Sequence, residues 1–160
     1  MILVSSCLLG NRVKYSGESN DNKLLKAYSH YLTAICPEAA GHLPIPRPPA
    51  ELQEGDGKAV LRGRAKVLNK HGEDVTVNFL QGANRILDIV KKNRVRVAIL
   101  KANSPSCGKD RIYDGTFSGN KIDGEGVTAA LLKENGVKVY SEKELDEDKL
   151  QRIIAMYQEE

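Results

Sequence analysis

Three cysteines are the residues of this sequence best suited to chemistry. Cys7 follows the run "MILVSS", Cys36 follows "YLTAI", and Cys107 follows "RVAILKANSPS", so each stands at the end of an apolar stretch beside Gly, Pro or Ser. A thiol that only packs is expected within a strand or on a helix face, because free cysteine is among the most often buried residues. The repeated placement at element ends therefore favours one shared site over packing.

Thiolates are soft ligands, and the number of cysteines restricts what they could hold. A structural zinc site takes four protein ligands, commonly in pairs at short spacing, and this sequence has no such pairs. None of His30, His42 and His71 is an obvious fourth ligand, although His42 follows Cys36 closely and stays open. Three thiolates suit an iron-sulfur cubane whose fourth iron is free to act as a Lewis acid with an affinity for sulfur.

The elements that must position these cysteines are predicted from apolar patterning. Residues 2–5, 31–35, 95–100 and 137–140 are short runs rich in Val, Ile and Leu, which is typical of strands covered on both faces of a parallel sheet. Helical spacing occurs between and after them, in the sets Phe79, Ala83, Ile86, Leu87, Val90; Val127, Ala130, Leu131; and Leu150, Ile153, Ile154, Tyr157.

Strands that alternate with helices predict an α/β fold, a single Rossmann-like domain over residues 1–160 with a mostly parallel sheet flanked by helices. The carboxyl ends of parallel strands open on one edge of the sheet, where ligand crevices form. Cys7, Cys36 and Cys107 each follow such a strand end. The fold would thus bring together three residues that lie far apart in sequence.

The middle of the chain departs from this alternation. Residues 37–49, "PEAAGHLPIPRPP", are too rich in proline for regular structure and predict an ordered loop or lid. Residues 59–77 contain two β-prone pieces around Gly63 and a turn at His71 and Gly72, which predict a small β-hairpin excursion.

Composition excludes several classes of protein. The net charge is only +3 with 28% charged residues, and nothing resembles the basic stripe that a nucleic acid polymer requires. No run reaches the roughly twenty apolar residues of a membrane span, and the first ten residues lack the features of a signal peptide. We therefore expect a cytoplasmic protein with no membrane partner, whose three thiols stay reduced.

Several motifs in order resemble a known family. "SSCLLG", "CPE" followed by "LPIPRPPAE", "AILKANSPSCG", "IYDGTFSG" and "GEGVTAALLKENGVKVYSE" are similar to the bacterial thiouracil desulfidase-like family, over nearly the whole chain. The resemblance implies a Rossmann-like domain whose 4Fe-4S cluster is held by Cys7, Cys36 and Cys107. It also implies an enzyme that removes sulfur from a thiolated nucleobase or similar thiocarbonyl compound without net redox change. By the same resemblance, the sulfur is expected to bind the open iron and to be replaced by oxygen from water.

The same resemblance implies catalytic roles for Glu38 and Ser104. A water that attacks the carbon must lose a proton, so Glu38 is the candidate general base, and Ser104 could donate to the ring nitrogen or to the departing sulfur. Without the family, an exposed loop carboxylate explains Glu38 equally well, and turn chemistry around Pro105 is the commoner role for serines such as Ser104 and Ser106. Ser106 and Arg47 are the candidate substrate-binding residues, although Arg47 could instead pair with Glu51, which is the commoner outcome.

Two other functions are compatible with the sequence. The chain could bind a metal or an iron-sulfur cluster without catalysis, as a structural or sensing protein. It could also be a cysteine-nucleophile hydrolase, with Cys107 as the attacking thiolate and His42 as its base. For the desulfidase, the expected partners are a small thiolated substrate and, if sulfide is passed on rather than released, a sulfur acceptor.

Overall fold

The computed structural model describes residues 1–157, and residues 158–160 lie outside the described part. Eight strands and six α-helices are found there. The strands are β1 (Ile2–Ser5), β2 (Thr33–Ile35), β3 (Ala50–Gln53), β4 (Lys66–Asn69), β5 (Val97–Leu100), β6 (Arg111–Tyr113), β7 (Lys121–Asp123) and β8 (Lys138–Ser141). The helices are α1 (Lys23–Ala27), α2 (Pro37–Ala40), α3 (Gly57–Leu61), α4 (Thr76–Asn93), α5 (Val127–Glu134) and α6 (Glu147–Tyr157). No helix in this part is long and apolar enough to cross a membrane.

A four-stranded parallel sheet in the order β2-β1-β5-β8 forms the centre of the fold. Successive side chains of a strand point to opposite faces, and helices cover both faces here. On one face, Leu3 and Ala98 belong to a core with the apolar side of α4 and with α5. On the other, Val4 and Ile99 pack with α1 and α6. The predicted parallel sheet between helices is confirmed, because all four predicted apolar runs contain one of its strands.

The excursion from this sheet is a hairpin, although its strands differ from those predicted. The structure pairs β3 with β4 in antiparallel register, and α3 occupies the connection between them. The predicted β-prone piece before Gly63 is wrong, since it forms α3, which begins at the Asp56 cap. The turn at His71 and Gly72 is present, with a single bridge between Leu68 and Asp74 across it.

Two short elements lie outside the predicted strands and helices, and the first interrupts the proline-rich segment that was predicted to be irregular. The proline-rich segment begins with α2, where Pro37 occupies the first turn, the position at which a missing N–H costs nothing. The glycine-rich segment after Cys107 contains the two-stranded β6–β7 ribbon. Leu52 of β3, Ile112 of β6 and Phe79 of α4 share a third core cluster.

The position of α2 is set by a close backbone contact with α4. A Cβ added at Gly82 would overlap the carbonyl oxygen of Pro37, and one added at Gly41 would overlap the carbonyl oxygen of Asn78. Asn78 Nδ2 also donates to the Gly41 carbonyl oxygen at 2.8 Å. Glycine at both positions therefore lets the two helices approach, and α2 is the helix that follows Cys36.

We expect Gly82→Ala to destabilise the protein although alanine is the better helix former. The new methyl group must displace the Pro37 carbonyl, and overpacking of this kind costs about 1–3 kcal/mol, more than the roughly 1 kcal/mol gained in helix propensity. Chemical denaturation measures the difference. Asn84→Ala on the exposed side of α4 is the matched control and should change the free energy of unfolding little. An unchanged midpoint for Gly82→Ala would contradict the close contact.

Candidate functional site

A cavity of about 660 Å³ lies at the carboxyl end of the parallel sheet. This is within the usual size range for pockets that bind small molecules. All three cysteines line it, so the strand ends gather them as the sequence predicts. The rest of the wall comes from the segment 13–15, the proline-rich loop, the β3–β4 hairpin with its turn, the residues after β5 and the segment after β6.

Cys7 is placed by a short 3₁₀ turn directly after β1. The turn spans Ser6–Leu9 and ends at Gly10, whose φ of 91° is in the left-handed region. Asn20 returns to this turn, with its backbone N–H donating to the Cys7 carbonyl at 3.0 Å and its Nδ2 donating to Cys7 Sγ at 3.3 Å. Asn20 lines the cavity and no local sequence pattern marks it, because its partner is thirteen residues away.

Cys36 caps the amino end of α2. The backbone N–H groups of Glu38 and Ala39 lie near its sulfur without making a side-chain cap, and its carbonyl oxygen accepts from the Ala40 N–H at 2.9 Å. Cys36 is thus the N-cap residue of α2 through its backbone. Since α2 is held against α4, the direction of this sulfur is fixed by the fold.

Cys107 lies at the end of a tight turn after β5, and only 3% of it is exposed. Ser104 Oγ accepts from the backbone N–H of Cys107 at 3.0 Å and from that of Ser106 at 3.1 Å, which closes the turn around Pro105. The hydroxyls of Ser5 and Ser106 face the Cys107 sulfur. Ser5, at the end of β1, was not singled out from the sequence.

All three thiols are free, and burial is the main influence on each. Burial raises the pKa of Cys107 to about 12. It also raises the pKa of Cys7 and of Cys36, outweighing the hydrogen bonds from Asn20 and from the backbone of α2 that act in the other direction. Thiols of this kind are protonated at neutral pH in the absence of metal and are poor nucleophiles.

Glu38 is the carboxylate on the wall beside Cys36. Its Oε2 is 3.5 Å from Arg47 Nη2, and the side chains are 17% and 5% exposed. Its Oε1 accepts from Ser106 Oγ at 3.1 Å. Arg47 is itself fixed, because it also donates to the carbonyl oxygens of Val13 and Pro44. Glu38 is therefore held from both sides and is not a free loop carboxylate.

The two serines differ in exposure to the cavity. Ser104 lines it, whereas Ser106 is 1% exposed and is not part of the wall. Their hydroxyl oxygens are 3.1 Å apart. Because Ser106 has one proton and donates it to Glu38, the contact between the serines uses the proton of Ser104. A chain of hydrogen bonds thus runs from the cavity through Ser104 and Ser106 to Glu38.

The predicted pairing of Arg47 with Glu51 is wrong. Arg47 turns towards α2, while Glu51 accepts at Oε1 from the backbone N–H groups of Gly115, at 2.9 Å, and Phe117, at 3.2 Å. The two residues are close in sequence, but the start of β3 directs Glu51 to the segment after β6. Both line the cavity.

The histidines take no part in the site within the described residues. None of them lines the cavity, and His42 Nε2 is 2.6 Å from Arg85 Nη1 on the exposed side of α4. The described part also has no group of three His, Cys, Asp or Glu side chains that could hold a single metal ion. The donor set at the cavity is three thiols, which are soft ligands of the kind that hold iron-sulfur clusters.

Comparison with known proteins extends this description. Residues 2–144 match the family model of the 2-thiouracil desulfurases. The chain belongs to the 2-thiouracil desulfurase family. Within the family it resembles the protein YbbK of Bacillus subtilis (strain 168), with 47% identity over 149 residues that cover 92% of this chain and 99% of YbbK.

A solved structure supports the fold of this desulfurase family member. The 4Fe-4S-dependent thiouracil desulfidase TudS superimposes with a TM-score of 0.80 at 42% identity, and the match covers 97% of each chain. The predicted α/β fold is confirmed by this likeness, as is the resemblance to the thiouracil desulfidases. The cavity combines three thiols with Glu38, a carboxylate held in place by Arg47 and Ser106.

Proposed function

We propose that residues 1–160 act as one iron-sulfur-dependent desulfidase domain that converts a thiolated nucleobase, such as 2-thiouracil, into its oxygen counterpart. The observation that carries the proposal is the cavity itself, which combines three free thiols with Glu38 held by Arg47 and Ser106. The overall reaction consumes one water molecule. Its oxygen adds to the C=S carbon, the C–S bond breaks, and its two protons leave with the sulfur as hydrogen sulfide.

Cys7, Cys36 and Cys107 would hold the cofactor, a 4Fe-4S cluster, with no fourth protein ligand. When bound, such a cluster supplies an iron with an open position that can take up the substrate sulfur as a Lewis acid. The protein keeps the three sulfurs in a largely buried setting, with Asn20 donating a hydrogen bond to Cys7, the Ser5 hydroxyl facing Cys107 and the amino end of α2 beside Cys36. Donors of this type orient metal ligands and tune their basicity.

Glu38 accepts the proton of the attacking water in this proposal. The ion pair with Arg47 holds the carboxylate in one direction, and the hydrogen bond from Ser106 fixes Oε1. The proton that Glu38 gains has a path out along Ser106 and Ser104. Both hydroxyls donate towards Glu38 in the structure, so once Glu38 is protonated they must turn, with Glu38 donating to Ser106 and Ser106 to Ser104. Each hydroxyl then passes one proton and receives another. Ser104, which lines the cavity, delivers that proton to the departing sulfur. Ser106 and Arg47 then act as positioning residues rather than as direct substrate contacts.

The proposal includes a cytoplasmic location, because three free thiols and an iron-sulfur cofactor need a reducing compartment. Sulfide is released into water or handed to an acceptor.

The proposal is tested with protein prepared without air. We expect a broad absorption shoulder in the blue, about four irons per chain, and release of sulfide and uracil from 2-thiouracil in equal amounts. With ¹⁸O-labelled water, the new uracil oxygen should carry the label. Stoichiometric zinc without colour would overturn the cofactor. A loaded cluster that binds no thiolated uracil and releases no sulfide would favour the non-catalytic role.

A cysteine-nucleophile hydrolase is less well supported. Its nucleophile, Cys107, has a raised pKa and almost no exposure, and its proposed base, His42, lies against Arg85 outside the cavity wall. Nucleophilic cysteines instead occupy settings that lower the pKa of the thiol and leave it accessible.

A further inference from the structure

Glu51 presents a carboxylate oxygen to the cavity that the fold does not use. The residue is 9% exposed and lines the cavity wall. Its Oε1 takes both backbone N–H groups, those of Gly115 and Phe117, whereas Oε2 has no hydrogen bond or ion pair within residues 1–157. Within residues 1–157, the one fully buried side-chain polar atom without a hydrogen-bond partner is Thr128 Oγ1. Glu51 Oε2 is therefore unpaired and not fully buried, in a residue that lines the cavity.

Anchoring the segment after β6 does not explain a charged group at this position. Gln53, two residues along the same strand, holds that segment with a neutral amide, since its Nε2 donates to the Gly115 carbonyl oxygen at 3.0 Å. A mostly buried carboxylate without a cationic partner is costly, because the desolvated charge is only partly compensated by two hydrogen bonds. A ligand that donates to Oε2 would remove this cost.

Glu51 lies near the turn that carries Ser104 and Cys107. Glu51, Asn103, Pro105 and Tyr113 share a second, narrow crevice that adjoins the main cavity. Asn103 and Pro105 are the neighbours of Ser104 in sequence, in the turn that leads to Cys107. Glu51 thus lines the same crevice as the two residues that flank the proposed proton donor in sequence.

We propose that Glu51 is a specificity-determining residue that accepts, at Oε2, a hydrogen bond from a ring N–H of the thiolated substrate. This inference rests on the proposed function and narrows its substrate class to thiolated heterocycles with a free N–H next to the C=S carbon. A hydrogen bond to a carboxylate is among the stronger ones. A ring that carries an alkyl group instead would leave Oε2 desolvated and unpaired, and such a loss discriminates strongly between substrates.

The wild-type enzyme tests this without any variant. 2-Thiouracil has two ring N–H groups beside the C=S carbon, and methylation blocks them one at a time. We expect kcat/KM for one of the 1-methyl and 3-methyl derivatives to fall about a hundredfold or more below that for 2-thiouracil. Equal values for all three compounds would overturn the proposal.

Glu51→Gln then assigns the discrimination to this side chain. The amide oxygen can keep both backbone N–H groups, while the amide NH₂ replaces Oε2 and turns an acceptor into a donor. We expect kcat/KM for 2-thiouracil to fall about tenfold to hundredfold, mainly through KM, with an unchanged cluster absorption spectrum. For the disfavoured methyl derivative, Glu51→Gln and wild type should be equally slow. Gln53→Ala is the control, since it removes the other anchor and should keep the discrimination.

Calorimetry with uracil supplies a readout that does not depend on turnover. Uracil carries the same two N–H groups, and its Kd for the cluster-loaded Glu51→Gln variant should be about tenfold weaker than for wild type. If wild type releases no sulfide from 2-thiouracil, the proposed function fails, and uracil binding still decides the role of Glu51. If wild type is active and Glu51→Gln changes neither substrate preference nor uracil binding, Glu51 serves only to hold the segment after β6.

Discussion

Replacing any one of the three cysteines by serine is expected to abolish colour and desulfuration together. Each of Cys7→Ser, Cys36→Ser and Cys107→Ser would remove a third of the proposed protein ligands, and serine is a hard, weakly acidic substitute for a soft thiolate. Loss of a residue that hydrogen-bonds a metal ligand typically costs about 10-fold to 100-fold in metal affinity or activity. Loss of a ligand itself should cost more. Iron analysis, visible absorption and sulfide release, all without air, measure the effect.

Asn20→Ala is the matched control for the cysteine variants. It removes the hydrogen bond to Cys7 Sγ while leaving every sulfur in place, and we expect the variant to load iron and keep measurable turnover. A result in which Cys107→Ser alone is inactive, with Cys7→Ser and Cys36→Ser retaining full turnover, would contradict shared ligation. It would favour the cysteine-nucleophile mechanism instead.

Glu38→Gln is expected to keep the cluster and lose turnover. The amide oxygen of glutamine can still accept from Ser106, so the side chain keeps its place, but it cannot take a proton from water. Positioned acid–base groups contribute about 10²-fold to 10⁴-fold, and a fall in kcat of that size with unchanged iron content is the expected result. Single-turnover measurement of uracil formation separates this chemical step from product release.

The control for this variant is Glu73→Gln. Glu73 also lines the cavity, but it lies in the turn after β4 and accepts from Asn69 Nδ2 at 2.8 Å, without contact to Ser106 or Arg47. We expect its kcat to stay close to that of wild type. Equal rates for Glu38→Gln and wild type would remove Glu38 from the mechanism.

The position of the cysteines could be predicted from sequence because it depends on strands alone. Continuous apolar runs identify buried parallel strands, and parallel strands place their exits on one edge. The boundaries were less exact, since the predicted strand at 31–35 begins only at Thr33, after a 3₁₀ turn over Ser29–Tyr31. This shift did not move Cys36, which follows the strand in either case.

The partners of the polar side chains could not be predicted in the same way. Arg47 pairs with Glu38, nine residues earlier, rather than with Glu51, four residues later. The direction of each side chain is set by the loop or strand that carries it, which distance in sequence does not reveal. Hydrogen bonds such as that of Ser106 to Glu38 join positions 68 residues apart and leave no local pattern. The β3–β4 pair was mispredicted for a related reason, since propensity does not identify which segment a strand pairs with.

The wall of the cavity has two origins, and this division has an evolutionary consequence. The thiols come from the ends of the parallel sheet and its connections, whereas Glu51 comes from the β3–β4 hairpin and Tyr113 and Phe117 come from β6 and the segment after it. Mutations in the second part can alter which ring is accepted without disturbing the inorganic centre. Related proteins are therefore expected to diversify by exchanging these outer loops, and grafting them between two relatives should transfer substrate preference while iron content stays constant.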